Sequence, residues 1–164
     1  LCNSIVSQQL SVKAANTIWQ RFLDLFNDRY PSPDIVMHLP VEALRQVGLS
    51  YQKASYIKHI AAFQLQNQLE YDLLRKMSDE ACIAHLTQIK GVGKWTAEMV
   101  LMFTLGRTDV LPLDDLGIRQ GMIRLYSLKG DQKALQKKMR SIAETWRPYR
   151  SVACLYLWRH KDGT

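Results

Sequence analysis

Apolar residues recur at three- and four-residue spacings along almost the whole chain, the periodicity of helices that bury one face. No alternating pattern of strand type survives beyond a few residues, and Gly and Pro fall between the periodic segments rather than within them. The fold class read from this pattern is all-α. Ser11 is placed to cap a helix reaching about residue 26, with Val12, Ala15, Ile18, Trp19 and Phe22 on one face. Pro31 and Pro33 close that run, short helices follow near 34–39 and 40–46, and Ser50 starts a long one to about Leu65. Ser78, with Asp79 and Glu80 behind it, marks another start. Further helices are predicted over 95–105, stopped by Gly106, and over 116–125, 131–145 and 149–160, the last with Pro148 at its first turn. The chain opens at Leu1 inside what reads as a helix, so some N-terminal sequence is expected to be absent.

Two segments carry most of the chemical information. The first runs Ile89-Lys90-Gly91-Val92-Gly93-Lys94-Trp95-Thr96-Ala97 between two helices. Its two glycines permit positive φ and close approach of the backbone, and the helix start that follows offers free N–H groups and a dipole that favour an anion. Lys94 adds a charge, and the Thr96 hydroxyl is of a type that bonds phosphate oxygens. Gly-Val-Gly alone would suit an ordinary helix connection with Gly as a C-cap; the residues flanking it shift the reading towards phosphate binding. A fainter copy of the unit precedes the helix at Ser50, where Leu44-Arg45-Gln46-Val47-Gly48-Leu49 leads into Lys53-Ala54.

The second segment is Asp114-Asp115 at the head of Leu116-Gly117-Ile118-Arg119. One of the two is expected to cap the helix, and Asp115 is the candidate catalytic carboxylate. No His or second acid accompanies it, which suits cleavage of a glycosidic bond to an already activated leaving group, with the carboxylate stabilising oxocarbenium charge and aiding water attack. Trp95 and the run Trp146-Arg147-Pro148-Tyr149-Arg150-Ser151 could contribute only to core, or could wall a pocket that stacks on an extruded cationic base. Trp19 and Trp158 are assigned to core. The polar turn Ser7-Gln8-Gln9-Leu10-Ser11 is either a plain connection or a wedge, with Gln9 or Leu10 filling the gap left by a flipped nucleotide.

At 164 residues the chain is one domain or two closely packed lobes. Its net charge of +7 is unevenly spread: residues 1–115 hold 11 Lys/Arg against 12 Asp/Glu, whereas residues 116–164 hold 11 against 3. A solvated basic face would look the same, but placed directly after the Asp pair it fits a polyanionic partner. Cys2, Cys82 and Cys154 are too few and too scattered for a disulfide framework, a zinc site or an iron–sulfur cluster, and read as reduced thiols of a cytosolic protein. His38, His59, His85 and His160 are equally dispersed, and no apolar run of eighteen residues or signal-peptide pattern is present.

Taken in order, the segments 7–15, 47–50, 89–97, 113–119 and 146–153 resemble those of the helix–hairpin–helix glycosylase superfamily of base-excision repair, in its 3-methyladenine DNA glycosylase branch. The resemblance implies two helical lobes, one of about 17–105 with the hairpin at 86–97 and one from 1–16 plus 106–164, with the active site in the cleft between them. It implies Asp115 as catalytic aspartate; Trp95, Tyr149 and Met99 as base pocket; Gly91, Val92, Gly93, Lys94 and Thr96 on the DNA backbone; and a structural Na⁺ or K⁺ at the carbonyls of Gln88, Ile89 and Val92. Bifunctional relatives have a Lys nucleophile where this chain has Trp95, and Lys94 lies about 100° around the helix from that position. The expected activity is therefore monofunctional: hydrolysis of the N-glycosidic bond of alkylated purines of the 3-methyladenine or 7-methylguanine type in double-stranded DNA, with no iron–sulfur cofactor. The expected protein is a monomer of the bacterial cytoplasm or the eukaryotic nucleus. The alternatives are a glycosylase-lyase acting on oxidised or mismatched bases and a non-catalytic DNA-binding module.

Overall fold

The computed structural model describes residues 1–66 and 69–162, with side chains at the C-terminal end as far as Arg159. Among the described residues there are eleven helices and no strand: α1 (Cys2–Ser7), α2 (Val12–Leu23), α3 (Pro33–His38), α4 (Val41–Gln46), α5 (Tyr51–Leu65), α6 (Tyr71–Lys76), α7 (Asp79–Leu86), α8 (Lys94–Phe103), α9 (Leu116–Leu125), α10 (Gln132–Glu144) and α11 (Arg150–Asp162). The chain divides into two compact units, Leu1–Ala97 and Glu98–Thr164, with the division falling inside α8.

Local chemistry sets most of the helix starts. Ser11, Ser50 and Ser78 each accept the backbone N–H three residues on, at 3.3, 3.2 and 3.2 Å, and Asp131 accepts from Ala134 at 2.8 Å. These side chains satisfy amides that a helix start leaves without a partner. Several limits differ from the sequence expectation. α2 stops at Leu23, well short of residue 26, and Val12 at its first position is 78 % exposed rather than facing the core. α6 was not foreseen: at six residues it is too short to show a period, and its N-cap Glu70 makes no side-chain capping bond. α11 begins at Arg150, and Pro148 lies in the turn ahead of it after a cis Arg147–Pro148 bond, not in the first helical turn.

In the first unit, α1 packs on α2 and α5, and α5 also receives α3 and α4. Ile5, Val6, Phe22, Leu44, Leu49, Ile57 and Leu86 are fully or almost fully buried. Residues 1–16 were expected to join the later lobe; they instead group with 17–97, because Ile5 and Val6 sink into this packing. In the second unit α9 packs along α11. Gly121 lies at this contact, where a Cβ would meet Leu157 at 3.4 Å, an ordinary van der Waals distance. Ile118, Met122, Met139, Ala143 and Cys154 are wholly buried.

Candidate active site

The hairpin joins α7 to α8. Val92 N–H donates to the Ile89 carbonyl at 2.9 Å, and both side chains are buried, so apolar contacts hold the corner at either side of Gly91. Gly91 has φ +96°, and a Cβ there would lie 2.2 Å from Cγ of Tyr56 on α5. Glycine is therefore required twice over, by conformation and by space. Gly93 differs: its φ is not positive and nothing lies within 4 Å of where a Cβ would be. Its carbonyl accepts from Ala97 at 3.0 Å, so the amides that follow open α8. Lys94 and Trp95 are exposed. Thr96 is only 2 % exposed, so its hydroxyl is not offered to a phosphate as expected, and the backbone amides and Lys94 are what remains. The fainter copy of this unit has the same form: Gly48 sits at φ +105° between α4 and α5, with Val47 and Leu49 buried on either side.

In the second unit, Asp115 is the N-cap of α9. Its Oδ1 accepts the Ile118 N–H at 2.8 Å and the indole Nε1–H of Trp158 at 2.8 Å. The cap thus falls on the residue that is also the catalytic candidate, not on the other member of the pair; Asp114 is exposed and accepts a long bond from Gln136 at 3.5 Å. Two donors converging on Oδ1 orient the carboxylate. Trp158, expected in the core, is half-buried, stacks on Phe103 at 6.0 Å and aims its one donor at Asp115. Gly117 makes room for this: a Cβ there would come within 2.9 Å of the Trp158 ring and 3.1 Å of Asp115 Oδ1. Sequence reasoning missed both roles; the only available hint was that a buried indole N–H needs an acceptor. Trp158→Phe is expected to leave affinity for intact DNA unchanged but to slow the active-site chemistry about 10- to 100-fold, because the carboxylate loses its second anchor. Single-turnover rates set beside binding isotherms check this.

The loop before the Asp pair is clamped to the start of α11. Ser151 Oγ donates to the Arg107 carbonyl at 2.7 Å and accepts from Val110 N–H at 2.9 Å, while Ser151 N–H donates to the Thr108 carbonyl at 2.8 Å. Asp109 takes Arg150 in a two-pronged pair at 2.6 and 3.0 Å and Arg147 at 2.6 Å; Arg147 also pairs with Glu144 at 2.7 Å. Burial alone would raise the Asp109 pKa, but the Arg150 bond and the two guanidinium charges outweigh it and hold the carboxylate below its ordinary range. A carboxyl depressed in the folded state contributes stability that is complete above its unfolded value, about 4, and is lost as pH falls through the folded value. Thermal melts should accordingly weaken below about pH 4, and Asp109→Asn should flatten that acid limb.

Tyr149 is 61 % exposed, Trp95 38 % exposed and Met99 half-buried; Trp95 belongs to the first unit and the other two, with Asp115, to the second. Gln9 and Leu10 are exposed in the turn between α1 and α2, Leu10 at 40 %. Cys154 packs inside the second unit, where burial and then the nearby Asp115 charge push its pKa up to about 12, so it stays a thiol and is no nucleophile at neutral pH.

A helical chain with a glycine-cornered hairpin and a helix-heading aspartate has the parts of a base-excision enzyme. The family model described as HhH-GPD superfamily base excision DNA repair protein matches residues 2–148, and the chain belongs to that superfamily. Within it, the chain is 37 % identical to DNA-3-methyladenine glycosylase 1 of Schizosaccharomyces pombe, across 97 % of this chain and 70 % of that protein. It is 35 % identical to a putative DNA-3-methyladenine glycosylase of Bacillus subtilis across 94 % of this chain, but spans only 55 % of that relative. Among solved structures, a DNA-3-methyladenine glycosidase from Bacillus halodurans superposes with a TM-score of 0.85 at 41 % identity, covering 99 % of this chain and 74 % of that one. The S. pombe 3-methyladenine DNA glycosylase in complex with abasic DNA superposes at 0.86 with 36 % identity, covering 96 % and 77 %.

Proposed function

We propose that this protein is a monofunctional DNA glycosylase that removes alkylated purines, of the 3-methyladenine and 7-methylguanine type, from double-stranded DNA. The observation that carries the reading is Asp115, fixed by the Ile118 amide and the Trp158 indole at the head of α9 in a chain of this superfamily. The relatives named DNA-3-methyladenine glycosylase support it.

Alkylation at N3 or N7 leaves the purine cationic, so the base departs without a general acid. The sugar then carries oxocarbenium charge, which the Asp115 carboxylate stabilises while water attacks, leaving an abasic site. Trp95, Met99 and Tyr149 are assigned to the flipped base, whose positive charge favours aromatic faces. The corner Gly91-Val92-Gly93, with Lys94, is assigned to the strand backbone, and Gln9 and Leu10 to the gap in the duplex. The carbonyls of Gln88, Ile89 and Val92 are oxygen donors of the kind hard cations take. A Na⁺ or K⁺ held there would add positive charge beside the phosphate, and no step passes through it. The protein acts as a monomer.

Incubation with methylated duplex DNA, followed by chromatography of released bases, tests the reading directly: 3-methyladenine in the soluble fraction is expected, and its absence would sink the proposal. Because residues 116–164 carry a charge excess of +8 (11 less 3), affinity for undamaged duplex should fall linearly on a logarithmic salt scale. A flat salt response would contradict phosphate-led binding.

A further inference from the structure

We propose that Lys53 on α5 is a positioning residue for base flipping: its ammonium holds the 7–11 turn in the shape that presents Gln9 and Leu10. This rests on the assignment of that turn as the DNA wedge. The last carbonyls of α1 have no intrahelical partners. Ile5 O accepts from Gln8 N–H at 3.4 Å and Ser7 O from Leu10 N–H at 3.3 Å, while Val6 O and Gln8 O are taken by Lys53 Nζ at 2.8 and 2.7 Å. A lysine from a distant part of the chain thus completes the C-terminal end of α1, where a cation is also favoured by the helix dipole.

The second of those bonds has a particular consequence. The Gln8 carbonyl belongs to the peptide plane just before Gln9, and Gln9 has φ +57°, a left-handed conformation that a side-chain-bearing residue holds only when its surroundings impose it. Anchoring that plane fixes the rotation. Leu10 and Val12 then stand 40 % and 78 % exposed beside it. Burial lowers the Lys53 pKa, so the ammonium is held at the turn against a desolvation cost.

The same face of α5 supports the hairpin. Tyr56, three residues after Lys53, is the ring against which Gly91 packs, and its hydroxyl accepts from Gln52 Nε2 at 2.6 Å. Gln8 Nε2 donates a long bond, 3.4 Å, to the Gly91 carbonyl. One helix face therefore seats both the wedge turn and the glycine corner, and fixes the spacing between the assigned strand grip and the assigned wedge.

The test uses Lys53→Met, which keeps the aliphatic stem, in wild-type and Leu10→Ala backgrounds. Single-turnover base release, affinity for undamaged duplex and fluorescence of 2-aminopurine beside the lesion are read together. Lys53→Met is expected to cut release and the flipping signal about 10-fold with affinity within about twofold, and to add little once Leu10 is Ala. Lys53→Gln, which retains one donor group, should recover part of the loss, and it carries the comparison if Lys53→Met does not fold. Loss in Leu10→Ala with none in the Lys53 variants, or fully additive losses, would overturn the proposal alone. If Gln9→Ala and Leu10→Ala both flip and release normally, the wedge assignment fails and this inference with it.

Discussion

Asp115→Asn is expected to lower base release by about three orders of magnitude or more while the protein stays folded and binds DNA. Asn is as good an N-cap as Asp, so the Ile118 amide and the Trp158 indole keep an acceptor at the Oδ1 position. What disappears is the negative charge, and with it the stabilisation of an oxocarbenium-like sugar. Melting within a few degrees of wild type, unchanged duplex affinity and loss of released base by chromatography together identify the carboxylate as catalytic. Retained release would mean that Asp115 is only a cap.

Gly91→Ala should be the most damaging single-methyl change in the first unit. The residue sits at φ +96°, and left-handed backbone costs an L-residue with a Cβ about 1–2 kcal/mol. A Cβ placed 2.2 Å from the Tyr56 ring must also displace that ring or the corner itself. Overpacking of a fixed site adds about 1–3 kcal/mol, for a total of roughly 2–5 kcal/mol. In a protein of this size that lowers Tm by about 5–15 °C. Calorimetry should show the drop and DNA titration a parallel loss of affinity. The contrasting Gly93→Ala, with nothing within 4 Å of its Cβ, should melt near wild type.

The two glycines show where the reading of the sequence was complete and where it stopped. That a Gly-Val-Gly corner joins two helices is legible from residue types, because turn chemistry is local. Which glycine is indispensable is not: Gly91 is set apart by Tyr56, 35 positions earlier in the chain. The Asp pair divides in the same way. A helix start at 114–115 follows from capping chemistry, yet the second donor on Asp115, Trp158, depends on α11 lying along α9. The Thr96 hydroxyl was misplaced for a related reason: helical periodicity from one segment does not say how deeply its first turn is buried.

By itself the sequence determined the helical class, most helix starts, the glycine-cornered turn and the aspartate at a helix head, because each depends on interactions within about four residues of the chain. Only the tertiary structure decided that Trp158 and Gly117 orient the carboxylate, that Lys53 finishes α1, and that residues 1–16 belong with the first unit. Those outcomes depend on hydrogen-bond donors and bare Cα atoms brought together from positions tens of residues apart, where no local period or propensity reaches.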